Sequence, residues 1–276
     1  MSPHAHDPAD PFGTARLRAA TLAAWLASPD RFREDANTEE DHGRGYYRDR
    51  VVTELLQNAA DAAQSPSASL APAGRVLLRL DPQARVFEVC NTGAPLTADG
   101  VRALASMRAS TKSAPSAAEG RLEGAPASRP GPVASVGRFG VGFAAVRSVA
   151  DEIEVVTTDA SGGSAGVLFS TVQTAQVLAD AAAGTSDAGD ERRRALAAAV
   201  AARHGSLPVL RLPFASPPHD GVASEAGALE GGWATVVRLV LRDDDAVASV
   251  RSQLDALDPV TLLALPALHD VRVEDG

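Results

Sequence analysis

An acid, an amide and a second acid lie within one short run of this sequence, at Glu54, Asn58 and Asp61. On a helix these three residues fall within one polar arc, and Glu54 and Asn58 are one turn apart. A carboxylate can activate a water for attack on a γ-phosphate, and an amide oxygen is a hard ligand that suits magnesium. The alternative for this run is the solvated face of an ordinary amphipathic helix.

A glycine-rich run follows further along the chain, at residues 137–143. Gly137, Gly140 and Gly142 allow a tight turn and a close approach to a ligand, and Phe139 and Phe143 would anchor that turn in the core. A helix that starts here would offer unpaired N–H groups to a phosphate. A plain tight turn is the alternative, and the spacing is not that of a P-loop. Taken as one site, the two runs predict the binding of ATP with Mg²⁺.

Four isolated residues could complete such a site. Asn91 is predicted at a strand end, where its side chain could meet a base edge, and Gly93 would give room for a flat ring. An ordinary Asx turn explains both equally well. Lys112 could meet a phosphate or be solvated. Thr235 could place its hydroxyl near an adenine or be an unremarkable β-branched strand residue.

The elements that must position these residues follow from apolar periodicity. We expect helices at 14–27, 46–64, 98–107, about 137–149, within 180–205, and at 246–257 and 259–265. We expect strands at 75–80, 85–89, 152–158, 166–170, 234–241 and at the end of the chain. Residues 28–44 are charged and are predicted to form a loop. The ranges 113–135 and 215–232 are also predicted loops.

This order of elements lacks regular βαβ alternation, and two hairpins are predicted in it. We therefore expect an α/β (α+β) two-layer sandwich, in which helices cover one face of a mixed, mostly antiparallel sheet. The predicted organisation is a disordered tail at 1–13 and a single domain at 14–276, with a mobile lid at about 98–136.

Composition limits the classes of function. The chain has 276 residues, a net charge of −9 and one cysteine, Cys90. The acidic balance makes nucleic acid an improbable partner, and a single cysteine suits a reducing cytoplasm. No apolar run approaches the roughly 20 residues of a membrane span, so no membrane association is expected.

Read in order, the motifs resemble those of the GHKL (Bergerat-fold) ATPases, and most closely the heat-shock-ninety chaperones and sacsin. The run 54–62 resembles the family's first box, and 91–97 resembles the adenine-contacting box. The residues 110–112 resemble the start of the lid, 137–143 the phosphate-contacting box, and 234–241 the last strand. The likeness covers roughly 45–160 and 234–242.

The resemblance implies a role for each matched residue. Glu54 would activate the attacking water, and Asn58 would be the magnesium ligand. The nucleotide would be held by Asp61, Asn91, Gly93, Leu96, Lys112, Gly137, Arg138, Phe139, Gly140, Val141, Gly142, Phe143 and Thr235. Asn91 stands where the family has an aspartate, and Pro95 stands where it has a glycine. The uncharged amide predicts a weaker hydrogen bond to adenine.

The sequence leaves three functions open. The first is an ATP-binding domain of a chaperone-like protein, with slow hydrolysis, resembling the N-terminal fragment of a longer chain. Its partners would be ATP, protein clients or partner domains, and a second copy that dimerises through further regions. The second is a nucleotide-gated interaction module without useful catalysis. The third is a DNA-linked GHKL ATPase, against which the acidic charge counts.

Overall fold

The computed structural model describes residues 9–44, 48–65, 73–106, 142–158, 163–183, 190–216 and 229–276. Seven strands form one sheet in the order β5-β4-β3-β6-β2-β1-β7. The strands are β1 Arg75–Asp81, β2 Val86–Asn91, β3 Ala150–Thr158, β4 Ser164–Ser170, β5 Phe214–Ser216, β6 Thr235–Leu241 and β7 Asp270–Asp275. The α-helices are α1 Thr14–Ala27, α2 Pro29–Arg44, α3 Val51–Gln64, α4 Ala98–Ser106, α5 Thr171–Ala183, α6 Asp190–Ala201, α7 Asp244–Asp255 and α8 Pro259–Leu263.

The predicted fold class is confirmed. All neighbouring strands pair antiparallel except β1 and β7, which pair in parallel, so the sheet is mixed and mostly antiparallel. In the described ranges no helix is long and apolar enough to cross a membrane.

The two faces of the sheet differ because successive strand residues point to opposite sides. On one face, Val76, Leu78 and Leu80 of β1 join the main core together with α3 and α7. On the other face a small apolar cluster surrounds Cys90. The rest of that face is polar: Glu88 lies 3.6 Å from both Arg79 and Arg238 on the two strands that flank β2. Within the described ranges, α3 and α7 pack on the face that carries Val76, Leu78 and Leu80.

The charged segment 28–44, predicted to be a loop, is instead the helix α2. Its apolar stripe is narrow: Phe32, Ala36 and Glu39 are buried at spacings of four and three residues, and the other positions are mostly charged. Pro29 stands at the first helical position, where its missing N–H costs nothing. A charged helix with a thin buried stripe looks like a loop when only composition is considered.

Several boundaries also differ from the predictions. Helix α5 occupies 171–183, ahead of the alanine-rich helix expected within 180–205. The helix expected after the glycine run is a 3₁₀ helix, Gly142–Ser148, and a further 3₁₀ turn at 48–50 precedes α3. Within the predicted tail, Asp10 accepts the backbone N–H groups of Thr14 and Ala15 and so caps α1. Residues 1–8, and 107–136 of the predicted lid, lie outside the described residues.

Candidate functional site

The polar stripe of α3 lies on the side of the helix that packs towards the sheet. Glu54, Asn58 and Asp61 are half-buried, whereas Leu55, Leu56 and Ala59 on either side are buried. The wide apolar arc predicted for α3 explains why this stripe is half-buried. A helix that is apolar around most of its circumference must lie between the sheet and other helices. The stripe is therefore not the freely solvated face of the alternative interpretation.

A small cavity lies between α3, the sheet and the segment that follows β2. Its lining residues come from α3, β2, the segment after β2, α4, the 3₁₀ helix 142–148, β3 and β6, and they are Leu55, Asn58, Ala62, Val89, Asn91, Leu96, Leu104, Phe143, Val155, Thr235 and Val237. Five of them were predicted from the sequence as nucleotide-binding residues: Asn58, Asn91, Leu96, Phe143 and Thr235. The cavity volume is about 30 Å³. That is room for about one water molecule, so a purine ring enters only if the lining side chains move apart.

The glycine run and the acid of α3 meet directly. A Cβ atom added to Gly142 would overlap the Glu54 carboxylate at Oε2. Phe143, the next residue, is buried and lines the cavity. Thus Gly142, near the end of the glycine run, is a neighbour of Glu54 in the fold, and a side chain at residue 142 would displace the Glu54 carboxylate.

Three polar side chains form a row across neighbouring strands. Asn91 of β2 is paired with Thr235 of β6, and Thr235 is paired with Thr157 of β3. The hydroxyls of Thr157 and Thr235 are 3.0 Å apart. All three residues are buried. Asn91 and Thr235 of this row line the cavity together with Asn58, and the other lining residues are apolar.

Thr157 was missed by the sequence reasoning. Its Oγ1 accepts the backbone N–H of Leu96 at 2.9 Å and donates to the backbone oxygen of Ala234 at 2.9 Å. A signal for it existed, because Thr157 follows Ile153 and Val155 at a spacing of two residues and so points to the same core-facing side of β3. A buried threonine at such a position needs a hydrogen-bond partner.

The segment after β2 is also attached to α3. The N–H of Ala94 donates to the backbone oxygen of Ala62 at 2.9 Å. Gly93 has φ of +146°, and an added Cβ would lie 2.7 Å from the backbone of Ala62. Gly93 therefore allows the helix backbone to approach closely at this point.

We expect Thr157→Val to destabilise the protein by about 1–3 kcal/mol, because the buried N–H of Leu96 would lose its acceptor. The shape of the side chain is preserved, so the effect reports the hydrogen bonds. Thr158→Val is the matched control, since the Thr158 hydroxyl makes only a 3.5 Å contact with Ala234 and is half-buried. Urea unfolding monitored by circular dichroism measures both variants. Equal stability of the two would contradict the anchoring role of Thr157.

Two amide nitrogens in the cavity wall lack partners. Within the part of the chain that the structure describes, neither Asn58 Nδ2 nor Asn91 Nδ2 has a hydrogen-bond partner. Buried polar groups are paired in the great majority of cases, so such atoms need an explanation. A ligand with acceptor atoms would satisfy them, and the chemistry of the lining fits a flat, mostly apolar ring with polar edges.

The surroundings of Glu54 shift the pKa of its carboxyl group. Partial burial raises the pKa of Glu54 above its ordinary value, and the positive charge of Arg50 opposes that shift. A carboxylate with a raised pKa is a better proton acceptor near neutral pH than an exposed one. The direction of the shift therefore favours a general base at this position.

The remaining predicted residues are not all placed. Asp61 lies on α3 almost one turn after Asn58 and is not part of the cavity lining. Lys112, Gly137, Arg138, Phe139, Gly140 and Val141 lie outside the described residues. No group of three His, Cys, Asp or Glu side chains in the described ranges is arranged to hold a metal ion. Magnesium would thus depend on Asn58 together with phosphate oxygens and waters.

A larger cavity, of about 380 Å³, lies at the other end of the 3₁₀ helix 142–148. It is polar, and its charged groups are largely engaged with one another: Arg147 pairs with Glu39 at 3.0 Å, and Arg242 pairs with Asp151 at 3.1 Å. The small cavity is the better candidate site because, among the described residues, the amide nitrogens of Asn58 and Asn91 have no hydrogen-bond partner. The same short helix contributes to both cavities, because Phe143 lines the small one and Arg147 lines the large one.

Comparison with models of known protein families gives no match, and comparison with curated proteins gives no significantly similar sequence. The case for a function consequently rests on the residues and their geometry.

Proposed function

We propose that this chain is an ATP-binding domain of the GHKL type, which hydrolyses ATP slowly with Mg²⁺ and belongs to a chaperone-like, sacsin-like protein. The observation that carries the proposal is the contact between Glu54 and Gly142 beside a cavity with two unpartnered amides. This contact places a candidate general base beside the cavity, since Glu54 precedes Leu55 and Gly142 precedes Phe143, and both of those residues line it. The order of the motifs supports the same conclusion.

On this proposal each residue has a distinct task. Asn91 and Thr235 bind the edge of the adenine, with Thr157 fixing the hydroxyl of Thr235. The Asn58 amide oxygen holds Mg²⁺, which neutralises phosphate charge when it is bound. Glu54 orients and partly deprotonates the attacking water. The backbone of the glycine run holds the phosphates.

Nucleotide binding on this proposal requires the cavity to widen. Leu96 lies on the segment after β2, Leu104 lies on α4, and Phe143 is the second residue of the 3₁₀ helix. These three side chains must separate from Val89 and Val237 of the sheet to admit a purine. Separating these side chains costs free energy, and this cost lowers the affinity for the nucleotide.

The second candidate is a nucleotide-gated interaction module without useful catalysis. It is favoured by Asn91, which offers an uncharged hydrogen-bond acceptor, and by Pro95, which removes a backbone donor beside the cavity. A DNA-linked ATPase remains the weaker third candidate, since the chain has a net charge of −9. A cytoplasmic location, protein clients and dimerisation through further regions belong to the same proposal as the chaperone-like role.

Calorimetry and a phosphate-release assay together separate the first two candidates. We expect ATP and a non-hydrolysable analogue to bind with similar affinity, and phosphate to be released slowly with ATP only. Binding of both nucleotides without any release would favour the gated module. Failure of both nucleotides to bind the folded protein would overturn both.

A further inference from the structure

Strand β7 forms one edge of the sheet. Among the described residues it pairs with β1 only, and the strand at the opposite edge, β5, is just three residues long. The last four residues of β7 are exposed, and among them Val273 is 48% exposed. An exposed edge strand offers a row of backbone groups to which a further strand can pair.

The backbone groups on the open side of β7 belong to alternate residues. The N–H of Gly276 donates to the backbone oxygen of Leu80 at 3.0 Å, so the even-numbered residues along this strand turn their N–H and C=O groups towards β1. The N–H and C=O groups of Val271, Val273 and Asp275 therefore point away from β1. These groups can pair with a strand from outside.

A row of alternating charges crosses the polar face of the sheet and ends at β7. Its members, in the order of the strands, are Glu154, Arg238, Glu88, Arg79 and Glu274, and each is the register partner of the next. At the outer end, Arg79 Nε lies 2.8 Å from Glu274 Oε2. The last member is an acid at the sheet edge. A further strand would thus continue the alternation by placing a cation opposite Glu274.

A second copy of β7 provides that cation. When two β7 strands lie antiparallel about a two-fold axis at Val273, Arg272 of each copy faces Glu274 of the other. The outward backbone groups then pair with one another, 273 with 273 and 271 with 275. The exposed Val273 side chains meet at the axis and cover one another. Charge, backbone pairing and apolar contact are therefore satisfied in the same arrangement.

Other registers of the same two strands are less favourable. An axis at Arg272 places two arginines opposite each other, and an axis at Glu274 does the same with two glutamates. An axis at Val271 leaves the outward groups of Asp275 without a partner. Arg272 can turn towards the other copy, since it is 69% exposed and its pair with Asp270, at 3.1 Å, is a weak surface pair.

We propose that β7 is a self-association edge, through which two copies of this chain form a dimer with one continuous sheet. The contact differs from dimerisation through further regions, because it uses residues 270–275 of this chain. It also goes beyond the proposed nucleotide-binding function and does not rest on it. Loss of ATP binding would leave the dimer unaffected, and a monomeric chain could still bind ATP.

Sedimentation equilibrium of two charge variants and of their mixture tests the dimer. For the wild type we expect a Kd of about 1–100 μM, as suits a small interface. Arg272→Glu places acids at both facing positions and Glu274→Arg places arginines there, so each should weaken self-association at least about tenfold. An equimolar mixture should restore it, because each facing pair then joins an acid to an arginine. Arg33→Glu is the control for net charge, since Arg33 is exposed on α2, away from the sheet edge.

A wild type that stays monomeric at about 1 mM would overturn the inference, and the charges of β7 would then serve to keep the edge unpaired. A dimer that neither substitution weakens would place the contact elsewhere. A mixture that does not recover would exclude the axis at Val273.

Circular dichroism shows whether each variant folds, and amide hydrogen exchange of the wild type decides the matter if one does not. The N–H groups of Val271, Val273 and Asp275 should be protected at high protein concentration and should lose that protection on dilution. Exchange that is independent of concentration at these three residues would contradict the dimer.

Discussion

Glu54→Gln is expected to lower the rate of phosphate release from ATP by at least about 100-fold while leaving ATP binding largely intact. Glutamine keeps the size of the side chain, so its contact with Gly142 is preserved, but it cannot accept a proton from the attacking water. Gln64→Ala is the matched control on α3, since Gln64 is exposed at the end of the same helix. Undiminished turnover in Glu54→Gln would show that another group activates the water.

The same substitution also has an expected effect on stability. A glutamate whose pKa is raised in the folded state binds protons more tightly there than in the unfolded chain, so stability falls as the pH rises through the folded pKa. Above that pH the wild type carries a partly desolvated charge, and Glu54→Gln removes it. We therefore expect the ligand-free variant to have a higher Tm than the wild type at pH 8. The difference should disappear in acid, below the ordinary pKa of glutamate.

The turnover of the wild type should show the matching pH dependence. Hydrolysis requires the ionised form of Glu54, so the rate falls as the pH is lowered through the raised pKa. The acid limb of the profile should lie above the ordinary value of 4.5 for a glutamate.

Arg147→Met is expected to destabilise the protein by about 3–5 kcal/mol, the largest effect on stability that we predict. Glu39 is 3% exposed and its carboxylate lies 3.0 Å from Arg147 Nε. The same carboxylate accepts the backbone N–H groups of Val209 and Leu210. Glu39 thus joins α2, the 3₁₀ helix 142–148 and the turn 209–211, and loss of the arginine would remove the ion-pair partner of its buried carboxylate.

Urea denaturation measures this loss of stability. Two further variants show whether it comes from the buried Glu39 charge. Arg251→Met removes an ion pair whose two partners, Arg251 and Asp275, are about 40% exposed, so it should change stability little. Adding Glu39→Gln to Arg147→Met removes the stranded charge and should recover part of the loss. Equal costs for Arg147→Met and Arg251→Met would contradict the structural importance assigned to the Glu39 pair.

The elements that sequence predicted well are those with strong local signals. The wide apolar arc of α3 indicates both its type and its buried faces, and the β-branched apolar run of β6 indicates a buried strand. The fold class followed from the order of such elements. The pairing of β1 with β7 in parallel, by contrast, joins residues almost 200 positions apart, and no local pattern encodes it.

The site was predicted in its residues but not in its dimensions. Glu54, Asn58, Asn91 and Thr235 could be named because polar residues in otherwise apolar elements are conspicuous. Thr157 was overlooked because a threonine in a strand is common, and its role depends on the N–H of Leu96, 61 residues away. The narrowness of the cavity depends on how Leu96, Leu104 and Phe143 pack together, which only the tertiary structure reveals.

The most direct test of the central claim, that α3 and the glycine run close around one nucleotide, is the Tm of the wild-type chain with and without magnesium-ATP. A ligand at 100 times its Kd stabilises the folded state by about 2.7 kcal/mol, which should raise the Tm by roughly 5 °C or more. We predict an increase that grows with ATP concentration and diminishes when EDTA replaces Mg²⁺. A Tm that does not change at millimolar magnesium-ATP would contradict the account.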